Sequence, residues 1–382
     1  MKLIRVDAYE VVVPARPGRV NSEEYGPPIW DMIPKLVVEF HTDDGLVGLG
    51  EGPRSSGETT LRSACAQLAG RDLRALCFQE PPLLDLSSHD MFAVANPRRP
   101  HRLLERNFNN YDHLAVHVAL LDLLGKHTGL PLCALMGGAY RERVAVDTWM
   151  GRMTPQDSAR ICREAQALGF HGAKMKCALE DDNVARAQAI RDACGEQFKL
   201  TFDPNHRFYR FAEAAPLVRQ LAAVGNLGCV EDPFPKGDLE AYRMLRQLAL
   251  APIALHLPYD SILIEAIRTH ACDFVNLGGT PWDIKRGGEV CWLAGIPTWH
   301  GSGVDLGILE ACYLHTAAAT KSMWRPCDIF GRTIREHNLI TNPMIAQDGS
   351  MPVPAGPGLG VELDRDALDR YTKRRFSFNV SG

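Results

Sequence analysis

Along residues 1–13, MKLIRVDAYEVVV, apolar and polar residues alternate, the two-residue period of a strand with one buried face. Residues 35–52, KLVVEFHTDDGLVGLGEG, repeat that pattern on both sides of Asp43, Asp44 and Gly45, which predicts a hairpin. The period then lengthens. Leu61 to Leu76 reads as a helix, and so does His113 to His127, where Leu114, Val118, Leu121 and Leu124 share one face before Gly129 and Pro131 end the run. These elements predict an α+β capping domain over residues 1–140. From about Arg143 short apolar strands alternate with amphipathic helices, the sign of a parallel sheet built from βα units. The expected strand ends are Met150, Lys176, Asn205, Glu231, His256, Asn276 and His300, with an eighth, less regular strand over residues 324–330. That spacing predicts a (β/α)8 TIM-type barrel over residues 141–350. The Pro- and Gly-rich stretch from Met351 to Leu363 opens a C-terminal segment, residues 351–382, expected to return to the cap.

Composition narrows the partners. Of 382 residues, 46% are hydrophobic and 23% charged, as in a packed domain, and the formal charge of -4 comes without runs of lysine or arginine. Nucleic acid and anionic membrane surfaces are therefore not expected, and a small-molecule substrate is. Eleven cysteines without a CxxC pair point to a reducing cytoplasm. No apolar stretch of about 18 residues is present, so a membrane span is not expected either.

Polar residues at the C-terminal ends of barrel strands face one pocket, and here nearly every expected end is ionisable. Lys174 and Lys176 in HGAKMK lie two apart on a strand and so point to one side, where two neighbouring ammonium groups ease the deprotonation of one of them. Asp203 in FDPNHRF and Glu231 in VEDPFP offer hard oxygen donors of the kind Mg2+ takes, and Asn205 stands two residues after Asp203. His300 ends GIPTWHGSG, and Asp328 lies in WRPCDIFG.

Together with LVGLGEG at 46–52, ALLDLLGKHTGLPLCALMGG at 119–138, the Gly278–Gly279 pair and GPGLGVELD at 356–364, these motifs resemble the enolase superfamily, in its mandelate racemase and muconate-lactonizing branch. The resemblance implies abstraction of a proton α to a carboxylate, giving an enediolate held by Mg2+, and an oligomeric enzyme. It implies that Lys176 is one base, that Lys174 assists it and holds the substrate carboxylate, and that Asp203 and Glu231 bind the metal. His300 is the implied second base, oriented by Asp273, while Gly287 and Gly288 offer a competing register that makes Asp283 the rival of Asp273. Asp328 is placed near an acidic residue that steadies the enediolate. One departure stands out. On the fifth strand, APIALHLPYD puts His256 and Leu257 where the resemblance implies an Asp-Glu or Gly-Glu pair; His256 is the replacement metal ligand, Asp260 an alternative one, and a weakened or lost metal site a third outcome. The cap loop, residues 14–35, holds Arg16, Arg19, Asn21, Tyr25 and Trp30, of which Arg16, Arg19 and Tyr25, with Asn205, are expected to contact substrate. The expected reaction is dehydration of a sugar acid to a 2-keto-3-deoxy acid, with racemisation or epimerisation, cycloisomerisation and a non-catalytic metabolite-binding barrel as alternatives.

Overall fold

The structure, a computed structural model, describes residues 1–54, 56–76 and 113–380, leaving aside the side chains of Ile29 and Trp30. The alternating N-terminal segment is β1 (Leu3–Val11), which buries Leu3, Val6, Ala8 and Val11 on one face. The hairpin is β2 (Lys35–Thr42) and β3 (Val47–Gly52), turned at Gly45 with φ of 85°. α1 (Glu58–Ala66) is shorter than the periodic run from Leu61 to Leu76, which a single 3-10 turn at Leu73–Ala75 continues. α2 (Leu114–Thr128) lies against β3, and it can do so because a Cβ on Gly50 would stand 2.1 Å from the Ala115 carbonyl oxygen. The glycines of LVGLGEG are thus a packing requirement.

α3 (Leu132–Leu135) and β4 (Arg143–Ala145) lead into the barrel. Its units are β5 (Thr148–Met150) with α4 (Pro155–Ala167), β6 (Gly172–Lys176) with α5 (Asn183–Cys194), and β7 (Lys199–Asp203) with α6 (Phe211–Val224). β8 (Leu227–Glu231) with α7 (Leu239–Gln247), β9 (Ile253–Pro258) with α8 (Ser261–Arg268), β10 (Phe274–Gly278) with α9 (Pro281–Leu293), and β11 (Thr298–Trp299) with α10 (Gly307–Ala319) follow. Strands β5 to β11 pair in parallel and in chain order. The ring closes through residues 325–328: Arg325 N donates to Thr298 O (3.2 Å), Cys327 N to Ala145 O (2.8 Å) and Asp328 N to His300 O (3.0 Å). This eighth strand is irregular because Pro326, in its middle, has no N–H to give to the ladder. β12 (Ser350–Pro352) pairs with β4; α11 (Arg365–Tyr371) follows, and β13 (Thr372–Asn379) pairs with β1, so the chain end completes the cap sheet in the order β13-β1-β2-β3.

The strands sort their side chains by parity. Leu277 of β10 faces the helix layer, where it meets α9 at Gly287, while its neighbour Asn276 faces inward and hydrogen-bonds Glu231. Register pairs Leu277 with Leu257 and Asn276 with His256. Leu257 therefore packs outward, fully buried among apolar residues, and His256 is the inward residue of β9.

Candidate active site

Lys174 sits at the centre of the C-terminal ends of the strands. Its Nζ lies 2.9 Å from Glu231 Oε2, 3.0 Å from Asp328 Oδ2 and 3.2 Å from Asp203 Oδ2, and the side chain is 5% exposed. Burial alone would lower its pKa, but Asp328, Glu231 and Asp203 outweigh that and hold it well above the usual lysine range. It is a fixed cation. Lys176, 24% exposed, also pairs with Asp203 Oδ2, so the two lysines meet through a shared carboxylate. Burial pushes the Asp203 carboxyl up, yet Lys176 and Lys174 together hold it below the usual carboxylate range. Two ammonium groups face three carboxylates, which leaves one negative charge over. Glu231 carries the consequence: burial raises its pKa, and Lys174 offsets only part of that rise.

Glu231 is aimed by Asn276, whose Nδ2 donates to Glu231 Oε1 (2.8 Å) and whose Oδ1 accepts from Gly301 N (2.7 Å). This couples the fourth strand to the loop after His300. His300 Nδ1 lies 2.7 Å from Leu277 O, so Nδ1 carries the hydrogen and Nε2 holds a lone pair; Nε2 is buried and has no hydrogen-bond partner among the described residues. Burial lowers the His300 pKa, and the ring is neutral at pH 7. Tyr313 packs against it with ring centroids 3.7 Å apart.

The expected His300–Asp273 pair does not form. Asp273 precedes β10 and lies at the opposite end of the barrel from His300; it accepts from Arg246 Nε (2.7 Å) and Ile253 N (2.9 Å). The Leu277 carbonyl orients the imidazole instead. Asp283, the rival, is occupied in the capping box of α9 with Thr280. Asp260 caps α8 through Ile262 N and Leu263 N, which places it outside the strand-end cluster.

His256 does join the cluster. Ligand atoms of Glu231, Asp232 and His256 lie within 4.8 Å of one another. Burial, with Lys236 nearby, lowers the His256 pKa to about 3, so the imidazole is neutral and free to bind a cation. Asp232 was not singled out in the sequence, because φ of 45° just after β8 breaks the strand parity that would have predicted its direction. Its Oδ1 accepts from His256 N (2.9 Å), and its Oδ2 faces Lys236 Nζ at 3.3 Å. The residues present fit a divalent cation, through carboxylates and an imidazole rather than through three carboxylates. Asp203, expected among the ligands, is turned to the two lysines.

The cap loop reaches the same rim. Gly151 N donates to Val20 O (2.7 Å) and Arg152 N to Asn21 Oδ1 (3.1 Å); a Cβ on Gly151 would stand 2.0 Å from that Asn21 oxygen, so only glycine admits the loop. Tyr25 lies under the Arg152 guanidinium, 4.8 Å from ring centroid to Cζ, at the rim. Arg16 and Arg19 do not reach it. Arg16 Nε donates to Arg335 O (3.0 Å), Arg19 pairs with Glu164 of α4 (2.5 Å), and both line a groove of about 400 Å3 that takes Leu168 and Phe170 from the lead-in to β6, away from Lys176 at its end. Asn205 is exposed, and its N–H donates to Asp203 Oδ1 (3.0 Å). Trp30 falls outside the described side chains.

A further cluster ties cap to barrel. Lys35 Nζ lies 2.6 Å from Glu51 Oε1 and 2.8 Å from Asp305 Oδ1, all three buried, and Glu51 also accepts from Leu306 N (2.8 Å) and Leu309 N (3.0 Å) at the start of α10. The loop that follows His300 is thereby fixed to β2 and β3.

Lysines, carboxylates and a histidine converge at the strand ends of a capped (β/α)8 barrel, the face where enzymes of this fold carry their chemistry, and the groups present are those of acid–base work. A family model described as Enolase C-terminal domain-like matches residues 157–367, and the chain belongs to that family, in the mandelate racemase and muconate-lactonizing branch of the enolase superfamily. It is 28% identical over 362 residues to D-galactarolactone cycloisomerase of Agrobacterium fabrum, covering 88% of this chain and 90% of that one. It is 26% identical over 361 residues to D-gluconate dehydratase of Thermoproteus tenax, covering 88% of this chain and 69% of the relative. The structure of N-succinyl Arg/Lys racemase from Bacillus cereus superposes with a TM-score of 0.75 at 21% identity, over 99% of this chain and 100% of that one. Among the described residues no helix is long and apolar enough to cross a membrane, and the ten described cysteines are free.

Proposed function

We propose that the protein removes the α-proton of a sugar acid and expels its β-hydroxyl, yielding a 2-keto-3-deoxy acid. The observation that carries this reading is His300, neutral and with an open Nε2, facing a site whose other side holds the permanently charged Lys174. The substrate carboxylate binds against Lys174 and Lys176, whose charge stabilises the enediolate as the α-proton leaves. His300 Nε2 takes that proton; as the β C–O bond breaks, the new imidazolium returns it to the departing hydroxyl, water is released and His300 ends neutral. The enol so formed tautomerises to the keto acid. Asn276 and the Leu277 carbonyl are positioning groups, the first for Glu231 and the second for His300. A divalent cation on Glu231, Asp232 and His256 would add positive charge beside the carboxylate.

A second reading, epimerisation at the α-carbon, has one observation in its favour. Lys176 ends the second barrel strand and His300 follows the seventh, so a proton taken by His300 on one face of the substrate can be replaced by Lys176 from another. The similarity to a dehydratase, a cycloisomerase and a racemase supports the shared first step without choosing among the outcomes. A panel of C4 to C6 sugar acids, followed by semicarbazide detection of 2-keto acids and NMR detection of epimers, separates the two. Keto acid formation supports dehydration, epimers without keto acid support the second reading, and neither product from any member refutes both.

A further inference from the structure

We infer that the cation seat of this barrel selects Mn2+ and the later first-row divalent ions over Mg2+, because the inward residue of its fifth strand is an imidazole. The placement rests on register. His256 pairs with Asn276, which faces Glu231, whereas Leu257 pairs with Leu277 in the helix layer, and β9 (IALHLP) holds no carboxylate, so a one-residue slip would put a leucine at this position. The following strand is adapted to the imidazole: a Cβ on Gly278 would stand 2.9 Å from His256 Nε2, so the glycine at this position leaves room for the ring. No side-chain hydrogen bond of His256 occurs among the described residues. Beside it, Glu231 is 0% exposed, and its Oε2 accepts no hydrogen bond although Lys174 Nζ is 2.9 Å away. An oxygen without a hydrogen bond and an imidazole without a partner, with Asp232 completing a group spanning 4.8 Å, make a mixed oxygen and nitrogen donor set.

Mg2+ takes a near-octahedral shell of oxygens and gives up water reluctantly, so a site with one imidazole and one anion fewer holds it weakly. Ions of the later first row accept imidazole and follow a rising order of affinity on such donors. The two lysines sharpen the difference, since their charge opposes any cation held mainly by electrostatics. The inference extends the proposed reaction to its cofactor, but ion binding is measured here apart from turnover, so either can fail alone.

The test uses the full-length chain, dialysed against EDTA and then against metal-free buffer. Mn2+ binding is followed by loss of the free-ion EPR signal, and Mg2+ affinity is obtained by competition. The expected result is one Mn2+ per chain, bound at least about tenfold more tightly than Mg2+. His256→Asp should erase or invert that preference while leaving the circular dichroism spectrum unchanged, and His256→Gln should weaken Mn2+ by about 10- to 100-fold. Equal affinity of the wild-type protein for Mg2+ and Mn2+, binding of neither ion, or Mn2+ binding untouched by both His256 substitutions would each overturn the inference.

Discussion

Replacing Lys174 by methionine keeps the length and bulk of the side chain and removes the one charge that faces Asp203, Glu231 and Asp328 together. Three contacts of 2.9 to 3.2 Å in a buried place make this a severe change. Removing one partner from a buried ion pair typically costs about 3–5 kcal/mol, because the other partner is left charged and without a counter-ion. The cost must depend on pH. In the wild-type protein the Lys174 pKa is raised above its unfolded value, so its stabilising effect is fully present below about pH 10.5, near the unfolded lysine value, and does not vary from pH 5 to 8. In the variant the carboxylates lose the charge that restrained them, and the folded state takes up protons that the unfolded state does not. Destabilisation therefore grows as pH rises from 5 to 8, toward the full 3–5 kcal/mol (order of magnitude) at the upper end. Urea unfolding of Lys174→Met and wild type at pH 5, 6.5 and 8, in EDTA, measures it. Turnover should fall by about 10²- to 10³-fold, the usual effect of deleting one electrostatic contact to a developing oxyanion. Equal stability of the two proteins at pH 8, or a difference that does not change with pH, would refute the placement of Lys174 as the buried counter-ion of this carboxylate cluster.

Three further outcomes follow from the geometry. Leu257→Glu places a carboxylate in the helix layer, so it should cost roughly 3 kcal/mol or more in urea unfolding and bring no gain in Mg2+ affinity; tighter Mg2+ binding would show that Leu257 faces the site. Asp273→Asn should leave kcat/KM unchanged while losing about 1 kcal/mol, because its partners Arg246 and Ile253 belong to the far end of the barrel; a large fall in kcat with intact stability would restore Asp273 to the catalytic set. Burial lowers the His300 pKa in the folded protein, so as a base it should hold kcat/KM level as pH falls from 8 to the ordinary histidine range and lose rate only below that. A His300-dependent rate that falls as pH rises through this window would instead mean that His300 starts the reaction protonated.

The barrel was legible because strand length, spacing and the parity of KMK need only local pattern. Lys174 and Lys176 point inward for the reason their two-residue spacing gives, and Glu231, His256 and His300 stand at strand ends as the apolar runs imply. What failed required knowing which end of a strand a residue occupies, or which face. Asp273 was paired with His300 by separation in sequence, yet one residue precedes β10 and the other follows β11, with a barrel length between them. His256 is named as the replacement ligand on residue type alone, and it is the pairing of His256 with Asn276 and of Leu257 with Leu277 that gives the direction each side chain takes. Asp232 escaped because a left-handed residue ends strand parity. The Lys35, Glu51 and Asp305 cluster joins positions 270 residues apart, and its only local trace was an acidic residue in the apolar run LVGLGEG. Arg16 and Arg19 looked like substrate clamps by composition, but Glu164 and the Arg335 carbonyl claim them.

If this site takes a proton from the carbon beside a carboxylate, that carbon must exchange its hydrogen with solvent. In D2O with Mn2+ present, NMR and mass spectrometry of a sugar-acid panel should show deuterium entering the α-position or solvent hydrogen entering the keto product for at least one member, with His300→Asn slowing this by about 10²-fold or more. The contradicting result is a folded, cation-loaded protein that leaves the α-proton of every 2-hydroxy acid in the panel unexchanged.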